Sequence, residues 1–297
     1  MEFLRPSDWA GALAAKAEHP AALPVAGGTD VMVELNFGLR RPPAVLDLNR
    51  VGELAEWSRD GAVVRLGAAV PYSRIIGELS GPLPGLALAA RTVGSPQIRN
   101  RGSVGGNLGA ASPAGDAHPP LLAAGRDVLV EADSVRGTRL IPIDDFYRGV
   151  KRNALEPDEL IRAVRIPVAD GPQQFSKVGT RNAMVIAVCA FALALHPRTR
   201  TVGTGLGSAA PTPRRAVEAE QYLREVLAER GRWDSGEPPG AEELRRFGEL
   251  VAAAADPIDD VRGSADYRRH ALAVMARRTL TWAWNDYRER TGSAAWA

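Results

Sequence analysis

Two glycine-rich segments, far apart in the sequence, carry the residues with the clearest capacity for binding chemistry. The first reads PVAGGTDV at residues 24–31, and the second reads GSVGGN at residues 102–107. Successive backbone N–H groups that no Cβ obstructs form a concavity suited to an anion. Neither segment has the GxxxxGK[ST] or GxGxxG pattern. The residues therefore leave two interpretations open: a pair of tight turns, or a diphosphate held from two sides. On the second interpretation, valine at Gly28 or Gly105 would block the approach of the ligand.

A third glycine run, GTGLG at residues 203–207, does not match a nucleotide-binding pattern. Ser208 stands where GxGxxG requires its last glycine. Glycine within a strand often marks a place where another backbone approaches closely. We therefore interpret this run as a strand that packs against a neighbouring segment.

Two charged residues each allow two interpretations. Asp116 ends a stretch of small residues, and it could cap a helix at residues 117–124 or contact a ligand. Lys177 falls in a predicted strand and is one of only three lysines in the chain. It could be an ordinary solvent-facing lysine, or a compact cation for a cofactor that becomes negative on reduction.

No residue is assigned a catalytic or metal-binding role. The sequence contains no GxSxG elbow, no Ser-His-Asp set and no HExxH, and its four histidines are scattered. The single cysteine, Cys189, lies in an apolar run and is predicted to be buried and inert. One cysteine excludes an internal disulfide, and it also excludes an iron–sulfur cluster held by four thiolates of this chain.

The elements that must position these residues follow an α+β pattern. Strands are predicted at residues 23–26, 44–48, 62–70, 127–132, 139–143, 160–166, 174–179, 185–195 and 199–207. Helices are predicted from Ser7-Asp8 onward and at residues 72–79, 84–91, 213–230, 241–255 and 267–287. The sequence ADGP at residues 169–172 predicts a boundary between domains 1–170 and 171–297.

Composition narrows the class of protein. The chain of 297 residues is 45% hydrophobic, which fits a packed globular protein. Its net charge of +2 gives no footprint for nucleic acid. The longest apolar run is shorter than the ~20 residues of a membrane helix, and the first residues do not resemble a signal peptide. We therefore expect a cytoplasmic protein without a membrane span.

The ordered motifs resemble the flavin subunit of molybdenum hydroxylases, the family of xanthine dehydrogenase and aerobic carbon monoxide dehydrogenase. The central motif is TVGSPQIRNRGSVGGN at residues 92–107, continued by SPAGD at 112–116. Further similarity lies in AGGTD at 26–30, IDDF at 143–146, DELI at 158–161, FSK at 175–177, APTP at 210–213 and VRGSADYR at 261–268.

This resemblance implies a fold, a cofactor and a set of contacts. The implied fold is a two-part FAD domain of the vanillyl-alcohol-oxidase (PCMH) type, followed by a smaller domain with a three-stranded antiparallel sheet and helices. FAD would be noncovalent, because neither glycine segment contains histidine or cysteine. The implied FAD-binding residues are Val25, Ala26, Gly27, Gly28, Thr29, Asp30, Val31, Val93, Ser103, Val104, Gly105, Gly106, Asn107, Asp116, Ile161 and Lys177.

Within that set the resemblance implies different roles. Residues 25–31 and 103–107 would contact the diphosphate, Asp116 the hydroxylated chain, and Ile161 and Lys177 the isoalloxazine ring. Val93 stands where larger relatives carry an aromatic residue, and Val185 stands where the family often has aspartate.

The resemblance also implies partner subunits. A small subunit would carry two [2Fe–2S] clusters and a large subunit would carry molybdopterin, in a dimer of heterotrimers. FAD would take electrons from a cluster and pass them to NAD⁺, oxygen or a quinone. Three alternatives stay open at this point: the medium subunit of an aerobic carbon monoxide dehydrogenase, a stand-alone flavin oxidase of the same fold, and a nucleotide-binding module without redox activity.

Overall fold

The computed structural model describes residues 1–294, which build two main hydrophobic cores. The first core draws on residues 9–166 and the second on residues 189–287. We retain the division into domains 1–170 and 171–297 as a proposal. Among the described residues, no helix combines the length and hydropathy needed to cross a membrane.

The first part of the chain contains two sheets and a set of short helices. Its strands are β1 (Glu2–Leu4), β2 (Leu23–Val25), β3 (Ala44–Asp47), β4 (Trp57–Asp60), β5 (Val63–Gly67), β6 (Leu129–Ser134), β7 (Gly137–Pro142), β8 (Tyr147–Gly149), β9 (Arg152–Asn153) and β10 (Leu160–Pro167). Its α-helices are α1 (Trp9–Glu18), α2 (Val31–Asn36), α3 (Tyr72–Glu78), α4 (Pro84–Thr92), α5 (Pro96–Arg99), α6 (Val104–Ala110) and α7 (His118–Ala123).

Strand pairing sets the frame of this part. A parallel sheet has the order β1-β3-β2, and α1 and α2 supply the crossovers that parallel neighbours require. An antiparallel sheet has the order β4-β5-β10-β6-β7, and β8 pairs with β9 in a separate hairpin. Asp8 starts α1 by accepting a hydrogen bond from the Gly11 N–H at 2.8 Å.

The second part is an antiparallel three-stranded sheet covered by helices, as the sequence predicts. The sheet consists of β11 (Gln173–Val178), β12 (Cys189–His196) and β13 (Thr201–Gly207) in that order. The helices are α8 (Val217–Glu229), α9 (Arg232–Ser235), α10 (Ala241–Ala253) and α11 (Ala265–Ala294). Cys189 is buried in this core, and burial raises the pKa of its thiol to about 12, which agrees with the inert role predicted for it.

Small residues join the two parts. A Cβ on Gly203 would lie 2.0 Å from the carbonyl oxygen of Ala123, and one on Gly205 would lie 2.0 Å from that of Pro119. Helix α7 therefore sits directly on β13, which confirms the interpretation of the third glycine run as a close backbone approach. On the neighbouring strand β12, Ala192 is buried in the same junction.

Helices α2 and α6 lie where the sequence predicts no helix. Residues 31–36 form α2, and the second glycine segment opens α6. Glycine disfavours helix by about 1 kcal/mol per residue relative to alanine. In α6 this cost is offset by an N-cap, because the Ser103 hydroxyl accepts a hydrogen bond from the Gly106 N–H at 3.1 Å. The buried Leu108 also anchors α6 in the core.

Candidate functional site

A cleft of about 420 Å³ opens where the carboxyl end of β2 faces α6, the end of β5 and the start of β10. Its volume falls within the range of about 300–1,000 Å³ that is typical of small-molecule sites. The cleft brings together most of the residues implied by the family resemblance: Val25, Ala26, Gly27, Gly28, Thr29, Asp30, Val31, Val93, Ser103, Gly105, Gly106, Asn107 and Ile161.

The first glycine segment presents a row of unused backbone donors to this cleft. Within the described part of the chain, the N–H groups of residues 27–31 donate to no acceptor. Gly28 has a φ of +72°, a conformation that side-chain-bearing residues rarely adopt. Consecutive free N–H groups around such a residue form the anion-binding concavity that the sequence predicts.

The two glycine segments touch each other. A Cβ on Gly27 would lie 1.9 Å from the carbonyl oxygen of Arg101, immediately before the second segment. Gly105 is equally confined, because a Cβ there would lie 2.4 Å from the carbonyl oxygen of Ala68. For Gly27 and Gly105 the close neighbour is thus the chain's own backbone. Valine at Gly105 would disturb this packing, so it would not test ligand binding as the sequence analysis expects.

Three small residues of α6 that line the cleft, Gly106, Gly109 and Ala110, form one continuous surface. They are spaced i, i+3 and i+4, so they share one helix face. The nearest atom to a Cβ on Gly106 would be the Ser103 hydroxyl oxygen at 3.3 Å, and such a Cβ would otherwise project toward the cleft. Gly109 and Ala110 are absent from the predicted set, although their spacing from Gly106 could have identified them. Val104 turns the other way and is buried in the core.

Asp116 and Lys177 lie outside the cleft lining and contact each other. The Lys177 Nζ donates to Asp116 Oδ2 at 2.6 Å and to the Thr92 carbonyl oxygen at 3.2 Å. Only 7% of the Lys177 side chain and 8% of the Asp116 side chain are exposed. Burial raises the pKa of Asp116, and the positive charge of Lys177 opposes that rise.

This contact corrects two of the alternatives left open by the sequence. Asp116 does not cap α7, whose N-cap residue is Ala117 and lacks a side-chain cap. Lys177 does not face solvent. The pair instead ties the start of α7 to β11 across 61 residues of sequence.

The ion pair adjoins one end of the cleft. Thr92, which donates its hydroxyl to Asp116 Oδ2 at 3.3 Å, precedes the cleft residue Val93. Tyr72 lines the same end, and its hydroxyl and Asp116 Oδ1 are both buried without a hydrogen-bond partner. Burial raises the pKa of Tyr72, and the nearby Asp116 carboxylate raises it further. Buried polar atoms without partners are rare, so these two atoms are candidates for contacts with a ligand.

The cleft also contains a buried lysine that the sequence analysis does not select. Lys16 lines the cleft, and its Nζ donates to the carbonyl oxygens of Pro20 and Ala22, each at 2.8 Å. Burial lowers the pKa of Lys16, against the influence of Asp158. The sequence of α1 does not indicate that the Lys16 ammonium group is buried beside the cleft, because both of its acceptors lie in the turn beyond the end of the helix.

Comparison with known proteins identifies both parts of the chain. The family described as the FAD binding domain in molybdopterin dehydrogenase matches residues 1–169, and the CO dehydrogenase flavoprotein C-terminal domain matches residues 174–283. The xanthine dehydrogenase FAD-binding subunit of Escherichia coli O157:H7 is 30% identical over 295 residues, covering 94% of each chain. The carbon monoxide dehydrogenase medium chain of Hydrogenophaga pseudoflava is 28% identical, covering 88% of each chain.

A solved structure shows the same architecture. A crystal structure of a Cu,Mo-containing carbon monoxide dehydrogenase in its cyanide-inactivated form matches with a TM-score of 0.86 and 28% identity, over 96% of this chain and 98% of that chain. The predicted fold class is therefore confirmed, with its two-part FAD domain and smaller C-terminal domain.

Proposed function

Because this chain belongs to the FAD-binding subunits of the xanthine dehydrogenase and aerobic carbon monoxide dehydrogenase family of molybdenum hydroxylases, we propose that it is the electron-transfer subunit of a multi-subunit enzyme. FAD is the cofactor of this subunit, and the chain is part of an oxidoreductase. The proposed route takes electrons from a [2Fe–2S] partner subunit to FAD and then to NAD⁺, oxygen or a quinone.

The observation that supports the proposal most directly is the cleft itself. The free N–H groups of residues 27–31 suit the FAD diphosphate. The first turn of α6 adds N–H groups without intrahelical acceptors. On α6 itself, the face formed by Gly106, Gly109 and Ala110 leaves room for a ligand to lie against the helix.

We propose that the flavin ring occupies the end near Val93 and Ile161. Both residues line the cleft. Bound FAD supplies the redox chemistry, and the chain supplies position and electrostatics. Tyr72 and Asp116, with their unpaired buried oxygens, are the polar groups available to its hydroxylated chain. Lys177 provides a cation at this end, but Asp116 already balances its charge.

A noncovalent link to FAD follows from the lining of the cleft. Among the described residues that line it, none is histidine or cysteine. Cys189 is buried in the C-terminal core. His118 is fully buried, and its Nδ1 shares a hydrogen bond of 2.9 Å with the Tyr147 hydroxyl. Acid precipitation should therefore release all the flavin into the supernatant.

The proposed assembly contains two further kinds of subunit. One would carry [2Fe–2S] clusters, because the single cysteine of this chain cannot hold one alone. The other would carry molybdopterin and oxidise the substrate. We propose a dimer of such heterotrimers, with this chain as the electron outlet.

Gly106→Ala tests the proposed site. Gly106 is helical, so alanine should leave the apoprotein as stable as wild type, or more stable by up to about 1 kcal/mol. The same methyl group should obstruct FAD and lower its affinity about tenfold or more. Gly77→Ala is a matched control, because Gly77 is also helical and its Cβ would meet no atom within 4 Å. Urea unfolding and FAD titration measure both effects. Wild-type FAD affinity in Gly106→Ala would remove α6 from the proposed site.

A further inference from the structure

The two carboxylate oxygens of Asp116 lie in different environments. Oδ2 accepts a hydrogen bond from the Lys177 ammonium group at 2.6 Å and another from the Thr92 hydroxyl at 3.3 Å. Oδ1 is buried and has no hydrogen-bond partner within the described part of the chain. A buried carboxylate oxygen without a donor is rare, because its desolvation is not compensated. A proton on Oδ1 would remove that cost and leave both contacts of Oδ2 in place.

The charge of Asp116 is balanced by one cation. Among the described residues, Lys177 of β11 is the only charged side chain that pairs with it. Thr92 of α4 is uncharged, and Tyr72 of α3 is neutral because burial and the nearby Asp116 carboxylate raise the pKa of its hydroxyl. His118, the first residue of α7, is neutral at physiological pH because burial lowers its pKa to about 3. Together these groups carry no net charge.

The acidic residues that line the cleft bind a proton less readily than Asp116. Asp30 and Glu156 are exposed to solvent, and Glu34 has two basic partners. Glu159 is buried, but hydrogen bonds from its arginine partner outweigh the effect of burial and lower its pKa. Burial instead raises the pKa of Asp116, and Lys177 only partly opposes that rise.

Asp116 is connected to the wall of the cleft by two helices. Thr92, its hydrogen-bond donor on α4, precedes the lining residue Val93. Asn107 of α6 lines the cleft, and its side-chain oxygen accepts the N–H of Ala117 at 3.2 Å. Because the carboxylate is buried behind this wall, a negative charge that arrives at this end of the cleft is poorly screened from it.

We propose that Asp116 takes up a proton when bound FAD receives two electrons. This inference rests on the proposed function, since it requires a flavin at the end of the cleft near Val93. A second negative charge beside a buried carboxylate disfavours the ionised form, and the single cation Lys177 cannot balance both charges. Protonation of Asp116 leaves Lys177 in place and frees its positive charge to balance the reduced flavin.

The proposed step balances in charge and in atoms. Two electrons, delivered by the [2Fe–2S] subunit of the proposed enzyme, and one proton convert FAD to its anionic reduced form. A second proton from solvent forms an O–H bond on Asp116 Oδ1, and no bond is broken at that residue. Two protons therefore enter with two electrons, and Asp116 returns its proton to solvent when the flavin is reoxidised.

Potentiometric titration of FAD-loaded protein between pH 5 and pH 9 tests the proposal. The slope of the two-electron midpoint potential against pH reports how many protons enter with the electrons. In the part of this range where reduction protonates Asp116, the wild-type slope should be about twice that of Asp116→Asn, which has no carboxyl group at this position.

Glu131→Gln is the matched control for the loss of a buried, paired carboxylate. The Glu131 side chain is 3% exposed and pairs with Arg65 and Arg165, but it does not line the cleft. This variant should keep the wild-type slope at every pH.

Infrared difference spectroscopy of the wild-type protein provides a second measurement, which keeps the test decisive if Asp116→Asn does not fold. The spectrum of reduced minus oxidised protein should contain the C=O stretch of a newly protonated carboxyl group. The band should shift in Asp116→Glu and stay unchanged in Glu131→Gln.

The outcomes separate this inference from the proposed function. If wild-type protein holds no FAD, the proposed function fails. If it holds FAD but no carboxyl band appears on reduction, Asp116 does not take up the proton and the proposed function stands. Equal slopes for wild type and Asp116→Asn at every pH from 5 to 9 would lead to the same conclusion. A reduced slope in Glu131→Gln would also overturn the inference, because the effect would then not be specific to Asp116.

Discussion

Replacing Lys177 by methionine should destabilise the fold strongly, because it leaves the Asp116 carboxylate buried without its partner. The two side chains are 7% and 8% exposed, and their polar atoms are 2.6 Å apart. Breaking a buried ion pair from one side costs about 3–5 kcal/mol, since the remaining charge keeps its desolvation penalty. We expect a loss in that range for Lys177→Met and a similar loss for Asp116→Asn, which strands the ammonium group.

The double substitution should cost much less than the sum of the single ones. Replacing both members of a buried pair by neutral groups is often close to neutral. With losses of about 3–5 kcal/mol for each single variant and a nearly neutral double variant, we expect a coupling energy of about 6 kcal/mol or more between the two positions. The exposed pair of Arg245 and Glu249 is the control, since its side chains are 57% and 45% exposed. Arg245→Met should cost at most about 0.5 kcal/mol.

The effect of Lys177→Met should also depend on pH. Burial raises the pKa of Asp116 above its ordinary value of 3.8. The protonated side chain therefore stabilises the folded protein fully below pH 3.8, and this stabilisation is lost as pH rises through the folded-state pKa. Without Lys177, no lysine charge opposes the increase in the pKa of Asp116, so the protonated carboxyl stabilises the folded protein up to a higher pH. The destabilisation should therefore be smaller at pH 5 than at pH 8, with a slope of at most about 1.4 kcal/mol per pH unit. Asp116→Asn should abolish this dependence.

Urea unfolding of the apoprotein, followed by tryptophan fluorescence, gives the four free energies of the cycle. Additive losses at positions 116 and 177, or a loss below about 1 kcal/mol for Lys177→Met, would contradict the account of a buried pair. So would a destabilisation that is equal at pH 5 and pH 8.

The other predictions concern the domain junction, the thiol and the flavin. Gly203→Ala should cost about 3 kcal/mol or more, because its Cβ would lie 2.0 Å from a carbonyl oxygen of α7, and thermal unfolding will measure the loss. Cys189 should react with a maleimide only after denaturation, since its pKa is raised to about 12 and it is buried; rapid labelling of the native protein at pH 8 would refute this. In FAD-loaded protein, Asp116→Asn should raise the two-electron midpoint potential, because it leaves Lys177 with an unbalanced positive charge near the proposed flavin position. Lys177→Met should lower the potential, because it leaves the Asp116 carboxylate unbalanced, and spectroelectrochemical titration compares the two variants.

Local patterns predict nine of the thirteen strands in the described part of the chain, because alternation and apolar runs report burial directly, but they miss the short strands β1, β4, β8 and β9. The three strands of the C-terminal sheet and the helix covering them follow from the sequence within a few residues at each end, and so do β10 and α4. A strand is predicted at residues 185–195, but β12 begins only at Cys189, because its pairing with β11 begins there. Residues 180–184 and 186, which precede the paired region, are exposed. Hydrogen bonding between strands determines where β12 begins, and it cannot be predicted from the local sequence.

Helix α6 shows why glycine-rich helices escape prediction. Intrinsic propensity argues against a helix in VGGNLGA, and only the Ser103 cap and tertiary contacts make it stable. Helix α2 escapes for a different reason. Its apolar residues point outward and its charge inward, so the usual rule for an amphipathic helix assigns no face to the core.

The glycines of the site divide into two groups that sequence alone cannot separate. All four line the cleft, but a Cβ on Gly27 or Gly105 would collide with the chain's own backbone, whereas a Cβ on Gly106 or Gly109 would first meet a side-chain atom, at 3.3 Å and 3.9 Å. Both groups occur in the same motifs. Only the direction of each absent Cβ shows which constraint applies, and that direction depends on packing between distant segments.

The second part of the chain supports the end of the cleft near Val93 from outside the cleft lining. Thr92 ends α4, and Gly85 on the same helix donates its N–H to the Gln173 side chain of β11 at 3.1 Å. Lys177, further along β11, then reaches both Thr92 and Asp116. The C-terminal domain thus fixes the wall against which we place the flavin, rather than serving as a separate appendage. A change in how β11 sits against α4 would move the buried Lys177 relative to Thr92 and Asp116. This gives a physical reason for the small-residue junction that holds the two parts tightly together.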